Sequence, residues 1–138
     1  MTDPVPRPAP QADRDSVPFW EGVEAGELRV QQCDACGRLR WPPREICGRC
    51  RSTASTWRAL SGAGRIDSWI VAHQVFHPAF ADSVPYTVLQ VAVDEQPDIQ
   101  MIGLYEGEGE PAFGMAVRAV FVRGSNGAML VHWTPSPG

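Results

Sequence analysis

Four cysteines stand in two pairs, Cys33-Asp34-Ala35-Cys36 and Cys47-Gly48-Arg49-Cys50, with ten residues between the pairs. A gap of two residues lets both thiolates of a pair reach one ion, and two such pairs complete the tetrahedral sulfur shell of a closed structural zinc site. Iron also accepts four thiolates, so the pattern favours zinc over iron without excluding it. A redox role for one Cys-x-x-Cys pair would leave the second pair unexplained. A four-sulfur site has no open coordination position, so its expected work is to fold a segment too small to fold alone. Gly37 follows the first pair, where freedom at positive φ helps the chain turn back toward the sulfurs. Arg51 holds the matching place after the second pair and suits that turn less well.

With the thiols committed to metal, little remains for catalysis. His73 and His132 fall in strand-like stretches, and His77 precedes Pro78 in a loop, where an interface role fits better than a catalytic one. No nucleophile elbow, Walker loop or dinucleotide fingerprint is present. The Gly107-Glu108-Gly109-Glu110 stretch is acidic and would repel phosphates. Independent catalysis is therefore not expected.

Arginine supplies every positive charge of this lysine-free chain, and its distribution is uneven. Residues 29–65 carry eight Arg against Asp34 and Glu45, a balance of +6, whereas residues 66–138 balance to −6 and residues 1–28 to −4. Arg38, Arg40, Arg44, Arg49, Arg51 and Arg58 surround the cysteine segment, and guanidinium groups suit bidentate contact with phosphate or carboxylate. The plainer alternative is a solvated cluster that offsets the charge of the metal-bound thiolates. A single-strand nucleic-acid binder needs a positive groove with aromatic platforms, and the acidic C-terminal half opposes a polyanion.

The elements that must position these groups are mainly β. Four Pro in the first ten residues make residues 1–15 a solvated, disordered tail that lacks the apolar core of a secretory signal. That reading, with no apolar run of about 18 residues to span a membrane, places the chain in the cytoplasm. Residues 16–32 form a short helical segment, capped by Ser16 and stopped by Gly26, and a lead strand from Leu28. The cysteine module occupies 33–60. After the turn Ser61-Gly62-Ala63-Gly64, strands are expected near 65–75, 86–93, 99–105, 116–122 and 128–133, with Ser125-Asn126-Gly127 as a hairpin turn. Five strands within 61–135 are too few for a sandwich and suit a small closed barrel of the OB type.

An ordered series of residues gives a family resemblance. It runs through Phe19-Trp20, Gly26-Glu27-Leu28, the four cysteines with Trp41-Pro42-Pro43-Arg44 between them, and Trp57 with Gly62-Ala63-Gly64. It continues with His77-Pro78-Ala79-Phe80, Pro85-Tyr86 and Gly114 with Val117. Over about 16–135 the chain resembles the zinc-ribbon/OB-fold family known as domain of unknown function 35. The resemblance implies a rubredoxin-like ribbon, a C-terminal OB barrel and a partner: a thiolase, a sterol-carrier-type thiolase-fold aldolase or a MaoC-type hydratase, each acting on acyl-CoA thioesters. It implies a hetero-oligomer in which a CoA thioester is held jointly with the partner. Phe19, Trp20, Arg38, Arg40, Arg44, His77, Phe80 and Tyr86 are the candidate partner or substrate contacts. One departure is Glu95-Gln96-Pro97-Asp98, where the family often reads Glu-Gly-Pro-Arg.

Overall fold

Helix α1, Val17–Glu24, buries Phe19, Gly22 and Val23 on one side, with Pro18 in its first turn. The expected Ser16 cap does not form. Ser16 and Asp13 bond to each other instead: the Ser16 amide donates to the Asp13 carboxylate at 2.8 Å and the Asp13 amide to the Ser16 hydroxyl at 3.1 Å. Gly26 ends the helix at φ 79°, a conformation costly to any residue with a Cβ. The computed structural model describes residues 5–137.

Strand β1 (Leu28–Cys33) lies between β2 (Leu39–Arg40) and β3 (Ser55–Leu60) in an antiparallel sheet of order β2-β1-β3. Its third member was the least visible beforehand. Ser55–Leu60 alternates only weakly in burial, and it becomes a strand because all six of its residues pair with β1, from Leu28↔Leu60 to Cys33↔Ser55. The second sheet joins β4 (Ala63–Ala72), β5 (Tyr86–Val93), β6 (Gln100–Leu104), β7 (Ala116–Arg123) and β8 (Met129–Pro135) in the order β6-β5-β4-β7-β8. Strand β4 stops at Ala72 rather than near 75, because Ala72↔Tyr86 is its last pair with β5. A bridge from Tyr105 to Trp133 and the Glu106 amide bond to the Trp133 carbonyl, 2.8 Å, bring β6 against β8. Among the described residues the chain is thus mainly β, with one short α-helix, a ribbon and a five-stranded OB-type sheet. No helix among the described residues is long and apolar enough to cross a membrane.

One core serves both sheets. Phe19, Val23, Leu28, Val30, Leu39 and Leu60 continue into Ile66, Leu89, Val91, Met101, Val117 and Trp133. In β5, Leu89, Val91 and Val93 point inward as the alternation predicts. In β8 the alternation breaks, because His132 and Trp133 are both buried. His132 is satisfied there through Nδ1, which bonds to the Glu106 carboxylate. Gly103 makes room for the Trp133 indole: a Cβ on residue 103 would lie 2.5 Å from the Val131 carbonyl oxygen and 2.8 Å from Trp133 Cδ1.

Three polar joints fix the parts. Arg123 holds Glu24 through two bonds of 3.0 and 3.1 Å, tying α1 to the β7–β8 hairpin and pulling the Glu24 carboxyl below its usual range. Within the expected solvated tail, Arg7 is anchored: its guanidinium meets the Ser83 hydroxyl at 2.6 Å and stacks 4.4 Å above the Phe80 ring, and its carbonyl accepts from Asn126. The third joint uses the turn that departs from the family pattern. Gln96 accepts from the Leu39 amide at 3.0 Å and donates to the Leu39 carbonyl at 2.8 Å, while Asp98 pairs with Arg38. Gln96→Ala removes both bonds at the ribbon–barrel seam and is expected to cost about 1–3 kcal/mol, read as a lower denaturant midpoint.

Candidate metal centre and the adjoining clefts

The two knuckles have matching geometry. The Cys33 amide donates to the Arg38 carbonyl and the Gly37 amide to the Cys33 carbonyl, each at 2.9 Å. The Cys47 amide likewise donates to Ser52 and the Arg51 amide to Cys47, also at 2.9 Å. Gly37 sits at φ 78° and Arg51 at φ 66°, so the arginine adopts the left-handed turn that the sequence made doubtful. The bonds that close the second knuckle hold it there against a strain of about 1–2 kcal/mol.

The fold brings all four Sγ atoms within 4.8 Å of one another. Cys33 and Cys50 are 3.5 Å apart, and Cys36 and Cys47 are 3.7 Å apart. A tetrahedral site with Zn–S bonds of about 2.3 Å places its sulfurs about 3.8 Å apart, so the donor set fits zinc. Cys33 and Cys47 are buried, and Cys36 and Cys50 are exposed at the rim. In the metal-free state the amides of Cys50 and Arg49 donate to Cys47 and lower its thiol to about 6. The Ser52 amide favours the Cys50 thiolate, but its bonds with Cys33, Cys36 and Cys47 oppose this and the net effect raises Cys50 to about 11. Backbone amides likewise hold the Cys33 thiol below its usual range. Protons compete for the remaining thiols, so zinc affinity is expected to fall as pH drops from 9 toward 6, measurable by competition with a chromogenic chelator.

Two clefts share Trp41, and the first of them borders the centre at Cys47. A pocket of about 470 Å³ is lined by Arg38, Arg40, Arg44, Arg49, Cys47 and Asp98. A more apolar groove of about 550 Å³ runs past Phe19, Trp20, Phe80, Tyr86 and the backbone of β6, with Arg7 and His132 at its margins. The ring of Phe19 lies 4.2 Å from Trp41 and 5.0 Å from Trp20, and Phe80 lies 5.3 Å from Tyr86. Phe19 is only 5 % exposed, so it is a core residue that forms part of the groove wall rather than a protruding contact. His77 does local work, its Nδ1 accepting from the Ala79 amide to cap the 3₁₀ turn Pro78–Phe80. The structure thus gathers Phe19, Trp20, Phe80 and Tyr86 around one groove and Arg38, Arg40 and Arg44 around another. Sequence reading did not anticipate Trp41 as the wall between them, although Trp41-Pro42-Pro43 marked the place.

Two family profiles match in tandem: the ChsH2 rubredoxin-like zinc ribbon domain over residues 20–56 and the ChsH2 C-terminal OB-fold domain over 57–122. A DUF35 domain-containing scaffold protein of Methanocaldococcus jannaschii is 33 % identical over 114 residues, covering 80 % of this chain and 79 % of that one. The chain belongs to the DUF35 zinc-ribbon/OB-fold family.

Among solved structures, the DUF35 chain resembles one of the Ltp2–ChsH2(DUF35) aldolase, with a TM-score of 0.83 and 29 % identity over 92 % of this chain and 98 % of that chain. The 3-oxo-4,17-pregnadiene-20-carboxyl-CoA hydratase alpha subunit of Mycobacterium tuberculosis is 34 % identical over 122 residues, which is 87 % of this chain. The chain spans well under half of the hydratase alpha subunits it matches, 38 % of that one and 27 % of another. The ribbon assignment and the four clustered sulfurs together support a structural zinc held by Cys33, Cys36, Cys47 and Cys50.

Proposed function

We propose that this DUF35 protein is a non-catalytic accessory subunit that binds and supports a thiolase-fold acyl-CoA aldolase or thiolase, with steroid side-chain degradation as the favoured setting. The observation that carries this reading is the near end-to-end match to a chain of the Ltp2–ChsH2(DUF35) aldolase, since both chains are covered almost completely. The residues agree with a supporting role. The cysteines are committed to metal, His77 to a turn and His132 to Glu106, which leaves no nucleophile–base pair in either cleft. The reacting groups then belong to the partner, and the CoA thioester is held jointly by the two chains.

A second reading pairs the same scaffold with a MaoC-type enoyl-CoA hydratase. The likeness to the hydratase alpha subunit from M. tuberculosis favours it. Co-expression with the thiolase-fold and hydratase proteins encoded nearby decides between them. A stable complex with the first, whose turnover depends on this chain, is the expected result. Exclusive capture of the hydratase would transfer the assignment to the second reading, and a soluble monomer that binds neither would overturn both.

A further inference from the structure

Arg40 is 8 % exposed, yet only one of its three guanidinium nitrogens is satisfied. Its Nε donates to the Gln31 side-chain oxygen at 3.0 Å and to the Arg44 carbonyl at 2.9 Å. Both terminal nitrogens are buried and have no hydrogen-bond partner. A buried cation lacking acceptors is costly, and a fold keeps one where an anion completes it. Arg40 lines the pocket of about 470 Å³ beside the ribbon, and Arg44 and Arg49 line the same pocket with exposed side chains. Neither of those two makes a salt bridge among the described residues. Asp98 also lines the pocket, but it is committed to Arg38. The uncommitted charge from Arg40, Arg44 and Arg49 is +3, which exceeds the −2 of a zinc ion with four thiolates.

We propose that this pocket is a phosphate site, with the two unpaired terminal nitrogens of Arg40 as its fork and Arg44 and Arg49 as its exposed rim. A phosphate monoester or diphosphate suits it best, because its several oxygens can meet the fork and the rim at once, whereas a single carboxylate is used up by the fork. Both terminal nitrogens of Arg40 are covered from solvent, so the pocket wall must open locally to bring the anion to them. The assignment stands on the pocket alone and does not require the partner reading. Free diphosphate and the phosphorylated adenosine end of a CoA thioester share the chemistry.

The test is calorimetric titration of the zinc-loaded full chain, at low ionic strength, with inorganic pyrophosphate and with adenosine 3′,5′-bisphosphate. Saturable binding of either is expected, weakened by at least about tenfold in Arg40→Gln. The stronger of the two ligands identifies the source. Arg118→Gln, an exposed change on β7 outside the pocket, should leave the affinity unaltered. If Arg40→Gln does not fold, the Arg44→Gln/Arg49→Gln double variant supplies the test, because both side chains are exposed, and it should also bind several-fold more weakly. The absence of saturable binding by the intact chain overturns the assignment, as does unchanged affinity in both pocket variants. If the intact chain forms its enzyme complex yet binds neither anion, the phosphate site falls while the partner reading stands.

Discussion

Cys47→Ser is expected to abolish stoichiometric zinc binding and to unfold the ribbon. Cys47 is buried, its Sγ lies 3.7 Å from Cys36, and its backbone closes the second knuckle through Ser52 and Arg51. A serine hydroxyl is a poor replacement for a thiolate at a four-sulfur site. Structural zinc contributes about 10–16 kcal/mol in isolated zinc-finger peptides, a scale that no rearrangement of a ribbon sheet with a two-residue β2 can offset. The loss should spread beyond the ribbon, because Leu28, Val30 and Leu39 belong to the core shared with the barrel. Zinc content by chelator assay and amide exchange along β1–β3 are the measurements. The Cys36→Ser variant, altered at the exposed rim, should be milder while still lowering affinity. A Cys47→Ser protein with full zinc content and unchanged melting would remove the structural role assigned to the metal.

The second large effect lies at the barrel seam. Trp133→Ala is expected to cost about 3–5 kcal/mol, enough to lower the melting temperature by about 10–20 °C in a domain of this size. Trp133 is fully buried and carries the bridge to Tyr105, so its removal leaves a cavity where β6 meets β8. Gly103 cannot fill that space, and its neighbours are held by the β5–β6 pairing. Trp133→Phe should lose much less, because the indole Nε1 has no hydrogen-bond partner to forfeit. Phe113→Ala is the control: the ring is 76 % exposed and its removal should change stability by less than about 0.5 kcal/mol. Thermal melts followed by tryptophan fluorescence and circular dichroism would distinguish the three.

The metal shell and the fold class were determined by the chain's local chemistry. Paired cysteines two residues apart need no tertiary information to define a ligand set, because the spacing itself sets how the sulfurs can converge. The five barrel strands were legible for a similar reason, since β5 announces its inward face by alternation at Leu89, Val91 and Val93. What pairing creates was not legible. Ser55–Leu60 is a strand because β1 lies beside it, and His132 is buried next to Trp133 because Glu106, just past the end of β6, satisfies its imidazole. Tertiary structure also divided the arginines, which sequence presented as one cluster. Arg38 is spent on Asp98 across the ribbon–barrel seam, Arg51 on a left-handed turn, and Arg40 is buried with its fork unpaired. A guanidinium's role depends on which acceptors reach it, and for Arg38 that acceptor lies 60 positions away in the chain.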